Sequence, residues 1–493
     1  MRKPSFQLKP ENIKASLKTR TFRVGGYSVF AVLLVLAIVI VVNVLVNVLP
    51  DSITRFDTTA NQLFSISEQT ENIVNNLKED ITVYWIVQSG QEDTTLETLL
   101  GRYESMSSHI HVVKKDPDVY PTFIQQYVSD GVYNNSLIVE SEQRYTYVSY
   151  SDIYEYDYSN YYTTYTYDVN FAGESALTSA VDYVVSDALP KVYALTGHGE
   201  SELASTFESA VSKENIDLEE LSLLASDSVP EDADAVFIYA PQSDISSEEK
   251  EILLAYLQEG GHMILITDPP QEDTQFMNLM EVMTYYGVSA VDGIIIETDQ
   301  SKYGLGMPYC LLPDMASHTI TNPLSNSGYY VLLPIAQGLT VSESRDGVSV
   351  TELLTTSTSA FSKAAGYALT TYEKEDGDID GPFAVAVAVT ETLEADDEEN
   401  EAETQIVWVS SAALLDEQTN VQVSGGNQDF FLNCLNWMCD KEESISIHAK
   451  NMSYEYLTMN SAAASMLTMV MVGIIPVCYL GIGICIWRRR KHR

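Results

Sequence analysis

Two long uncharged apolar stretches, one near each end of the 493-residue sequence, constrain this chain more than any other feature. They are residues 27–49, "YSVFAVLLVLAIVIVVNVLVNVL", and residues 465–487, "SMLTMVMVGIIPVCYLGIGICIW". A helix rises ~1.5 Å per residue, so each stretch reaches about 35 Å, which is enough for the hydrocarbon core of a bilayer. Helices of soluble proteins rarely run this far without a polar face. We therefore expect two transmembrane helices.

The first apolar stretch also resembles the apolar region of a secretory signal peptide. It is longer than such a region, and the sequence that follows, "PDSITRF", lacks the small-x-small pattern of a cleavage site. We expect an uncleaved anchor.

Charged residues at the flanks predict the orientation. Residues 1–26 hold seven Lys and Arg against one acid, Glu11, and residues 488–493 read "RRRKHR". By the positive-inside rule both termini are cytoplasmic, in a two-span protein of the cell membrane whose large middle region is extracytoplasmic. Because the whole chain has 70 acidic and 27 basic residues, the middle region is strongly acidic. Nucleic acid is therefore excluded as a partner, and the lipid bilayer is expected.

The cysteines do not predict a disulfide framework. Of the five, Cys478 and Cys485 lie in the second apolar stretch, which leaves an odd number, Cys310, Cys434 and Cys439, in the middle region. Stability is expected to come from packed cores.

The first part of the middle region, residues 50–150, predicts a small α/β domain. "ITVYWIV" has the composition of a buried strand, and "SLIVE" with "RYTYV" predicts a hairpin. Residues 151–188 are expected to form a Tyr-rich arm and a linker helix, since residues 145–167 contain ten tyrosines. Such an arm can stack on the sugar rings of a cell-wall glycan. A surface β-ribbon is the simpler interpretation and the one we favour.

Residues 189–445 predict a doubly wound α/β domain. The strands "KVYAL", "ADAVFIYAP" and "HMILITDP" alternate with helices expected over 201–213 and 246–259, a pattern typical of a parallel sheet. Beyond about residue 292 the pattern shifts to strands such as "FAVAVAV", and "NQDFFLNCLNWMC" predicts a helix that packs on the sheet. The acidic loop 391–403 holds eight acids in 13 residues. It can bind a divalent cation loosely, but a solvated hairpin tip is favoured. Residues 446–464 are a juxtamembrane segment.

One turn in this domain carries the candidate ligand-binding residues. In "LPKVYALTGHGESEL" a strand ends directly before Gly-His-Gly-Glu, and ligands of doubly wound sheets bind at the carboxyl ends of the strands. His198, Glu200 and Asp268 can meet at that edge, where a His and two carboxylates can bind a metal or move a proton. In the favoured alternative the two glycines permit a tight turn, and Glu200 lies near the positive end of the next helix.

The common catalytic and nucleotide-binding motifs are missing from the sequence. It contains no G-x-G-x-x-G, no G-x-x-x-x-G-K-[ST], no G-x-S-x-G, no H-E-x-x-H and no C-x-x-C. We therefore expect no enzyme, and we assign no catalytic residue, metal or cofactor.

Several segments in order resemble the GldG-like family, the auxiliary proteins of ABC-type transport systems first associated with gliding motility. They are "FDTTANQLFSISEQT", "VYALTGHGESEL", "GGHMILITDPP", "ITNPLS", "NQDFFLNCLNWM" and "ISIHAKNMSYEYLTMNSAAA". The resemblance extends from about residue 55 to the second apolar stretch. Within "ITNPLS" the chain departs from the family, because Asn322 precedes the proline where the family often has His.

The resemblance implies an extracytoplasmic subunit with a glutamine-amidotransferase-like α/β domain, whose partners are an ABC permease and an ABC ATPase. The sequence agrees with this role, since two spans are too few to line a path for a polar solute and no phosphate loop is present. We expect the subunit to couple to the transporter or to capture its substrate. Two alternatives stay open: a membrane protein that binds cell-wall polysaccharide, and a hydrolase that uses His198.

Overall fold

The computed structural model describes residues 27, 30–41, 65–128, 131–157, 167–186, 188–271, 276–342, 345–393, 403–439, 447–452, 465–466 and 468–491. The chain divides into two compact units, Met1–Ser65 and Ile66–Arg493. In the first unit the described helix is α1 (Phe30–Val41). The basic N-terminal segment and residues 42–49 of the first expected span lie outside the described residues.

In the second unit a smaller domain comes first. Its helices are α2 (Glu68–Asn75), α3 (Thr94–Met106), α4 (Pro121–Ile124), α5 (Tyr150–Ile153) and α6 (Gly173–Val185). Its strands are β1 (Ile81–Ile86), β2 (Ile110–Lys115), β3 (Ser136–Glu140), β4 (Tyr145–Val148), β5 (Tyr154–Asp157) and β6 (Asp168–Phe171).

A four-stranded sheet in the order β2-β1-β3-β4 forms the smaller domain. Strands β1 and β2 are parallel, and β3 and β4 form the predicted antiparallel hairpin. Helix α3 begins where the Asp93 carboxylate accepts hydrogen bonds from the amides of Thr95 and Leu96. Helix α6, which belongs to the segment 151–188, packs on β3, β4, α2 and α3. The smaller domain thus continues to Val185.

The larger domain follows. Its helices are α7 (Ser205–Lys213), α8 (Ser247–Gln258), α9 (Met277–Tyr285), α10 (Asn322–Ser327), α11 (Glu417–Gln422) and α12 (Gly426–Met438). Its strands are β7 (Lys191–Leu195), β8 (Asp217–Leu221), β9 (Ala235–Tyr239), β10 (His262–Ile266), β11 (Val288–Val291), β12 (Ile294–Ile296), β13 (Cys310–Leu311), β14 (Asp314–Met315), β15 (Leu333–Pro334), β16 (Gly338–Val341), β17 (Val348–Thr355), β18 (Phe361–Lys363), β19 (Ile379–Asp380), β20 (Ala384–Thr392) and β21 (Glu403–Val409). The chain ends with β22 (Lys450–Asn451), the π-helical turn Met469–Ile474 and α13 (Ile475–Lys491).

The ten-stranded central sheet is mixed, whereas the sequence predicted a parallel one. Strands β8-β7-β9-β10-β21 pair in parallel. Strand β20 pairs antiparallel with β21, and β16 and β17 each pair antiparallel with β20. The reason is local, because β20 and β21 are joined as a hairpin and a hairpin returns antiparallel. The expectation of an α/β fold is confirmed, with the parallel arrangement limited to five strands.

Helices cover both faces of the parallel strands. Neighbouring residues of one strand point to opposite faces, so Ile264 packs in the core beneath α7 and α12, while Leu265 packs beneath α8 and α9. Phe431 of α12 is fully buried in the first core, with its ring centroid 5.5 Å from that of Phe237. Trp408 is fully buried in the second core.

Two segments of biased composition lie between paired strands. Strands β5 and β6 are antiparallel partners and flank residues 158–166, the centre of the Tyr-rich arm. Strands β20 and β21 flank residues 394–402, the centre of the acidic loop 391–403, and Thr392 pairs with Glu403. Both centres lie outside the described residues.

Among the described residues, one helix, Met469–Arg489, is long and apolar enough to cross a membrane. It matches the second expected span, and the shorter apolar helix α1 lies within the first. An apolar helix near each end of the chain suggests membrane association.

Candidate functional site

The turn after β7 is built on two glycines. Gly197 has φ 121° and Gly199 has φ 80°, values that residues with a side chain rarely adopt. A Cβ atom at Gly199 would lie 3.0 Å from Cβ of Gln242. Because both positions are glycine, the chain can reverse direction here and approach the turn at Gln242 closely. His198 lies between the two glycines.

His198 is buried between two carboxylates. Its Nδ1 lies 2.9 Å from Glu200 Oε1, and its Nε2 lies 3.1 Å from Glu249 Oε2. A ring nitrogen beside a carboxylate must donate its proton, so the two contacts together hold the ring as an imidazolium. Burial alone would lower the pKa of His198, but the hydrogen bonds to both carboxylates outweigh it and raise that pKa.

Glu249 belongs to the N-terminal turn of α8, which it also caps. Ser246 Oγ accepts a hydrogen bond from the Glu249 amide, and Glu249 Oε2 accepts one from the Ser246 amide at 2.8 Å. Burial alone would raise the pKa of Glu249, but hydrogen bonds to its carboxylate from the backbone and side chain of Ser246, together with His198, lower that pKa. The sequence reasoning missed this residue. The Ser-x-x-Glu spacing was the available signal for the cap, and it gives no sign of the contact with His198.

Backbone hydrogen bonds join this turn to the next strand at the topological switch point. The chain goes from β7 outward to β8 and then returns to β9 on the other side, so the crevice lies between β7 and β9. There the His198 carbonyl accepts the amides of Gln242 at 2.9 Å and Ser243 at 3.0 Å, and the Ser201 amide donates to the Tyr239 carbonyl at 2.9 Å. The space where a ligand of a doubly wound sheet would lie is bridged by the protein itself.

Asp268 lies at the same edge with a different partner. Its Oδ1 accepts a hydrogen bond from the Ala412 amide at 2.8 Å, and burial raises the pKa of its carboxyl. Burial and, to a smaller extent, the charge of Asp268 raise the pKa of Tyr239 to about 12. No hydrogen bond joins Asp268 to His198 in the described residues. Of the three predicted site residues, the structure brings His198 and Glu200 together and places Asp268 apart.

The cluster of His198, Glu200 and Glu249 has the chemistry of a structural ion pair. Both ring nitrogens are engaged, and 5% of the His198 side chain is exposed, so neither nitrogen is available to take a proton from a substrate. Within the described ranges, no three or more His, Cys, Asp or Glu side chains are arranged to hold a metal ion. A cavity of ≈ 600 Å³ lies elsewhere, between the two domains, and is lined by residues such as Tyr183, Lys213 and Asn215.

His198→Gln should flatten the pH dependence of stability. Because the folded-state pKa of His198 is raised, its contribution is fully present below pH ~6.5, the unfolded value, and is lost as pH rises through the folded-state pKa. Wild-type stability should fall over this interval by up to about 1.4 kcal/mol per pH unit, the limit for one proton. Urea unfolding of wild type and variant at intervals from about pH 5.5 to about pH 9 measures the dependence of the unfolding free energy on pH.

His448 provides the internal reference for this experiment. The hydrogen bond to Asp429 raises the pKa of His448 against the effect of burial. The His198→Gln variant should therefore keep a smaller slope of unfolding free energy against pH, which comes from His448. Equal slopes in wild type and His198→Gln would show that His198 is not protonated preferentially in the folded state.

Comparisons with known proteins bear on both domains. Residues 189–434 match the family model described as "ABC-type uncharacterized transport system", and residues 60–154 match a domain of unknown function (DUF7088). No curated protein matches the chain.

Three solved structures show limited similarity. The mmIFT52 N-terminal domain is 12% identical with TM-score 0.36 and covers 52% of this chain and 99% of its own. A putative GMP synthase component from Thermoplasma acidophilum is 10% identical with TM-score 0.27 and covers 52% and 96%. PurLQS from Thermotoga maritima is 9% identical with TM-score 0.24 and covers 51% and 100%. These scores are too low to indicate a shared fold. The match over residues 189–434 does identify the family, and the larger domain of this chain belongs to the auxiliary proteins of ABC-type transport systems.

Proposed function

We propose that this protein is a membrane-anchored, extracytoplasmic auxiliary subunit of an ABC transport system, of the GldG-like type. The family match over residues 189–434 carries the proposal. The subunit would couple to, or capture substrate for, a separate permease and ATPase.

The arrangement of the chain supports a two-span topology. The long apolar helix Met469–Arg489 is followed by basic residues, and the apolar helix α1 is preceded in sequence by a basic segment. Basic flanks favour the cytoplasmic side at both ends, which leaves the two α/β domains on the opposite side. An outer body with an anchor at each end suits a subunit that meets a permease at the membrane surface.

The chemistry of the candidate site supports a role in binding or coupling and not in catalysis. His198 is held between Glu200 and Glu249, and backbone bonds bridge the crevice beside it. With neither ring nitrogen available to a substrate, the hydrolase alternative lacks a general base at this position. We further propose that the larger domain has a glutamine-amidotransferase-like α/β fold.

Co-purification tests the proposal. The affinity-tagged full-length protein, extracted from native membranes in mild detergent, should retain an ABC permease and an ABC ATPase that mass spectrometry identifies. A matched preparation of an unrelated tagged two-span protein controls for nonspecific recovery. If neither transporter component is enriched over that control, the proposed function is wrong.

A further inference from the structure

A single buried carboxylate joins the two ends of the domain region. Glu174, at the start of α6, is 3% exposed. Its Oε1 accepts hydrogen bonds from the Ser67 amide at 2.6 Å and from Thr70 Oγ1 at 3.1 Å. Its Oε2 accepts one from Lys450 Nζ at 2.7 Å. The two carboxylate oxygens of Glu174 thus accept hydrogen bonds from segments that are far apart in the sequence.

These segments are the parts of the domain region nearest in sequence to the two apolar helices. Ser67 and Thr70 stand at the start of α2, which is the first described helix after α1. Lys450 belongs to β22, the last strand before α13. The chain that arrives from the first apolar helix and the chain that departs toward the second therefore meet at Glu174.

The surroundings of Glu174 favour a rigid junction. Thr70 Oγ1 lies 2.8 Å from Thr178 Oγ1, which in turn lies 2.5 Å from the Tyr103 hydroxyl. Thr70, Thr178 and Tyr103 are fully buried. Hydrogen bonds in such a network strengthen one another, and leaving one buried member unpaired is costly.

The departing segment is bound to both domains. Lys450 of β22 pairs with Phe171 of β6, and the Met452 amide donates to the Val169 carbonyl at 2.9 Å. Two residues before Lys450, His448 Nε2 lies 2.8 Å from the Asp429 carboxylate of α12, in the larger domain. A displacement of this segment would therefore disturb contacts with both domains.

We propose that Glu174 is a coupling residue that links the two membrane-proximal segments, so that a displacement of one is transmitted to the other through its carboxylate. The inference rests on the proposed anchoring of the chain at both ends. If the donors to one oxygen of Glu174 are lost, the buried carboxylate keeps too few hydrogen bonds. The network that positions its other oxygen is then weakened as well. Coupling of this kind is reciprocal, so a change in either membrane-proximal segment must alter the other.

Hydrogen–deuterium exchange of the full chain in detergent tests the proposal. Thr70→Val removes a donor on the arriving side with little change of shape, and Lys450→Met removes the charge on the departing side. The peptides to follow cover residues 66–75 and 447–452. Lys213→Met is the matched control, because it breaks another Lys–Glu pair of 2.7 Å, with Glu155, that does not include Glu174.

Thr70→Val should speed exchange in residues 447–452, and Lys450→Met should speed exchange in residues 66–75, each by roughly threefold or more, as expected for the loss of about one hydrogen bond. Glu174→Gln should speed exchange in both peptides, and Lys213→Met in neither. If each variant changes only the segment that carries it, Glu174 is a structural contact without coupling and the proposal is wrong. Because no transporter is present in this measurement, its failure is distinct from a failure of co-purification.

Discussion

Phe431→Ala should lower the free energy of unfolding of the larger domain by about 3–5 kcal/mol, the usual cost of removing a buried phenylalanine ring. Phe431 is fully buried on α12, and its ring packs against Phe237 at 5.5 Å and against Phe207 at 6.3 Å between ring centroids. These partners belong to β9 and α7, so the ring joins three elements on one face of the sheet. The cavity left by alanine would be lined by Phe207 and Phe237, which are themselves buried.

Urea unfolding followed by tryptophan fluorescence measures this loss, since Trp408 is buried in the same domain. Val421→Ala is the matched control, because Val421 lies on the adjacent helix α11 and is 69% exposed. It should change the unfolding free energy by less than about 0.5 kcal/mol. A loss below about 1 kcal/mol for Phe431→Ala would contradict the packing of α12 on the sheet.

Glu249→Ala should also lower the free energy of unfolding by about 3–5 kcal/mol, because it leaves a buried charge without one of its partners. The Glu249 side chain is 2% exposed, and Oε2 serves both the His198 ring and the Ser246 amide. The variant removes both the carboxylate that accepts from the Ser246 amide in the α8 capping box and one of the two carboxylates that pair with the imidazolium. Glu200 alone then remains to balance His198.

Glu248→Ala is the control for this prediction, since Glu248 is the exposed neighbour in the same first turn of α8. It removes an equal charge from the helix N-terminus and should cost less than about 1 kcal/mol. Equal losses of unfolding free energy for the two variants, measured by urea unfolding, would mean that the buried cluster adds nothing to the helix cap.

The local features of the larger domain were predictable from the sequence, and its sheet order was not. Strand β9, helix α8 and the turn at Gly197 and Gly199 follow from nearby residues, and the structure contains each of them. The segment "YVLLPIAQGLTV" has the apolar composition of one strand, but the structure divides it into β15 and β16, and Ile335 between them has φ 55°. The position of β21 beside β10 depends on contacts between residues far apart in sequence, which local patterns do not record.

The partners of His198 show the same limit at the candidate site. Strand ends of one sheet share an edge, and this placed His198 and Asp268 together in the sequence analysis. In the structure β9 lies between β7 and β10, and two strand spacings amount to about 10 Å. Helix α8 follows β9, the direct neighbour of β7, so Glu249 reaches the ring. The order of strands decides which carboxylate pairs with His198, and the sequence alone does not provide that order.

Labelling of single cysteines in intact cells tests whether the two α/β domains lie on the extracytoplasmic side of the membrane. In a background with the five natural cysteines replaced, Glu231→Cys places a thiol at an exposed position of the larger domain, and Ser5→Cys places one in the basic N-terminal segment. A membrane-impermeant maleimide should label Glu231→Cys in intact cells and Ser5→Cys only after the membrane is permeabilised. Labelling of Ser5→Cys in intact cells, with Glu231→Cys protected until permeabilisation, would show that the two domains are cytoplasmic and that the proposed topology is wrong.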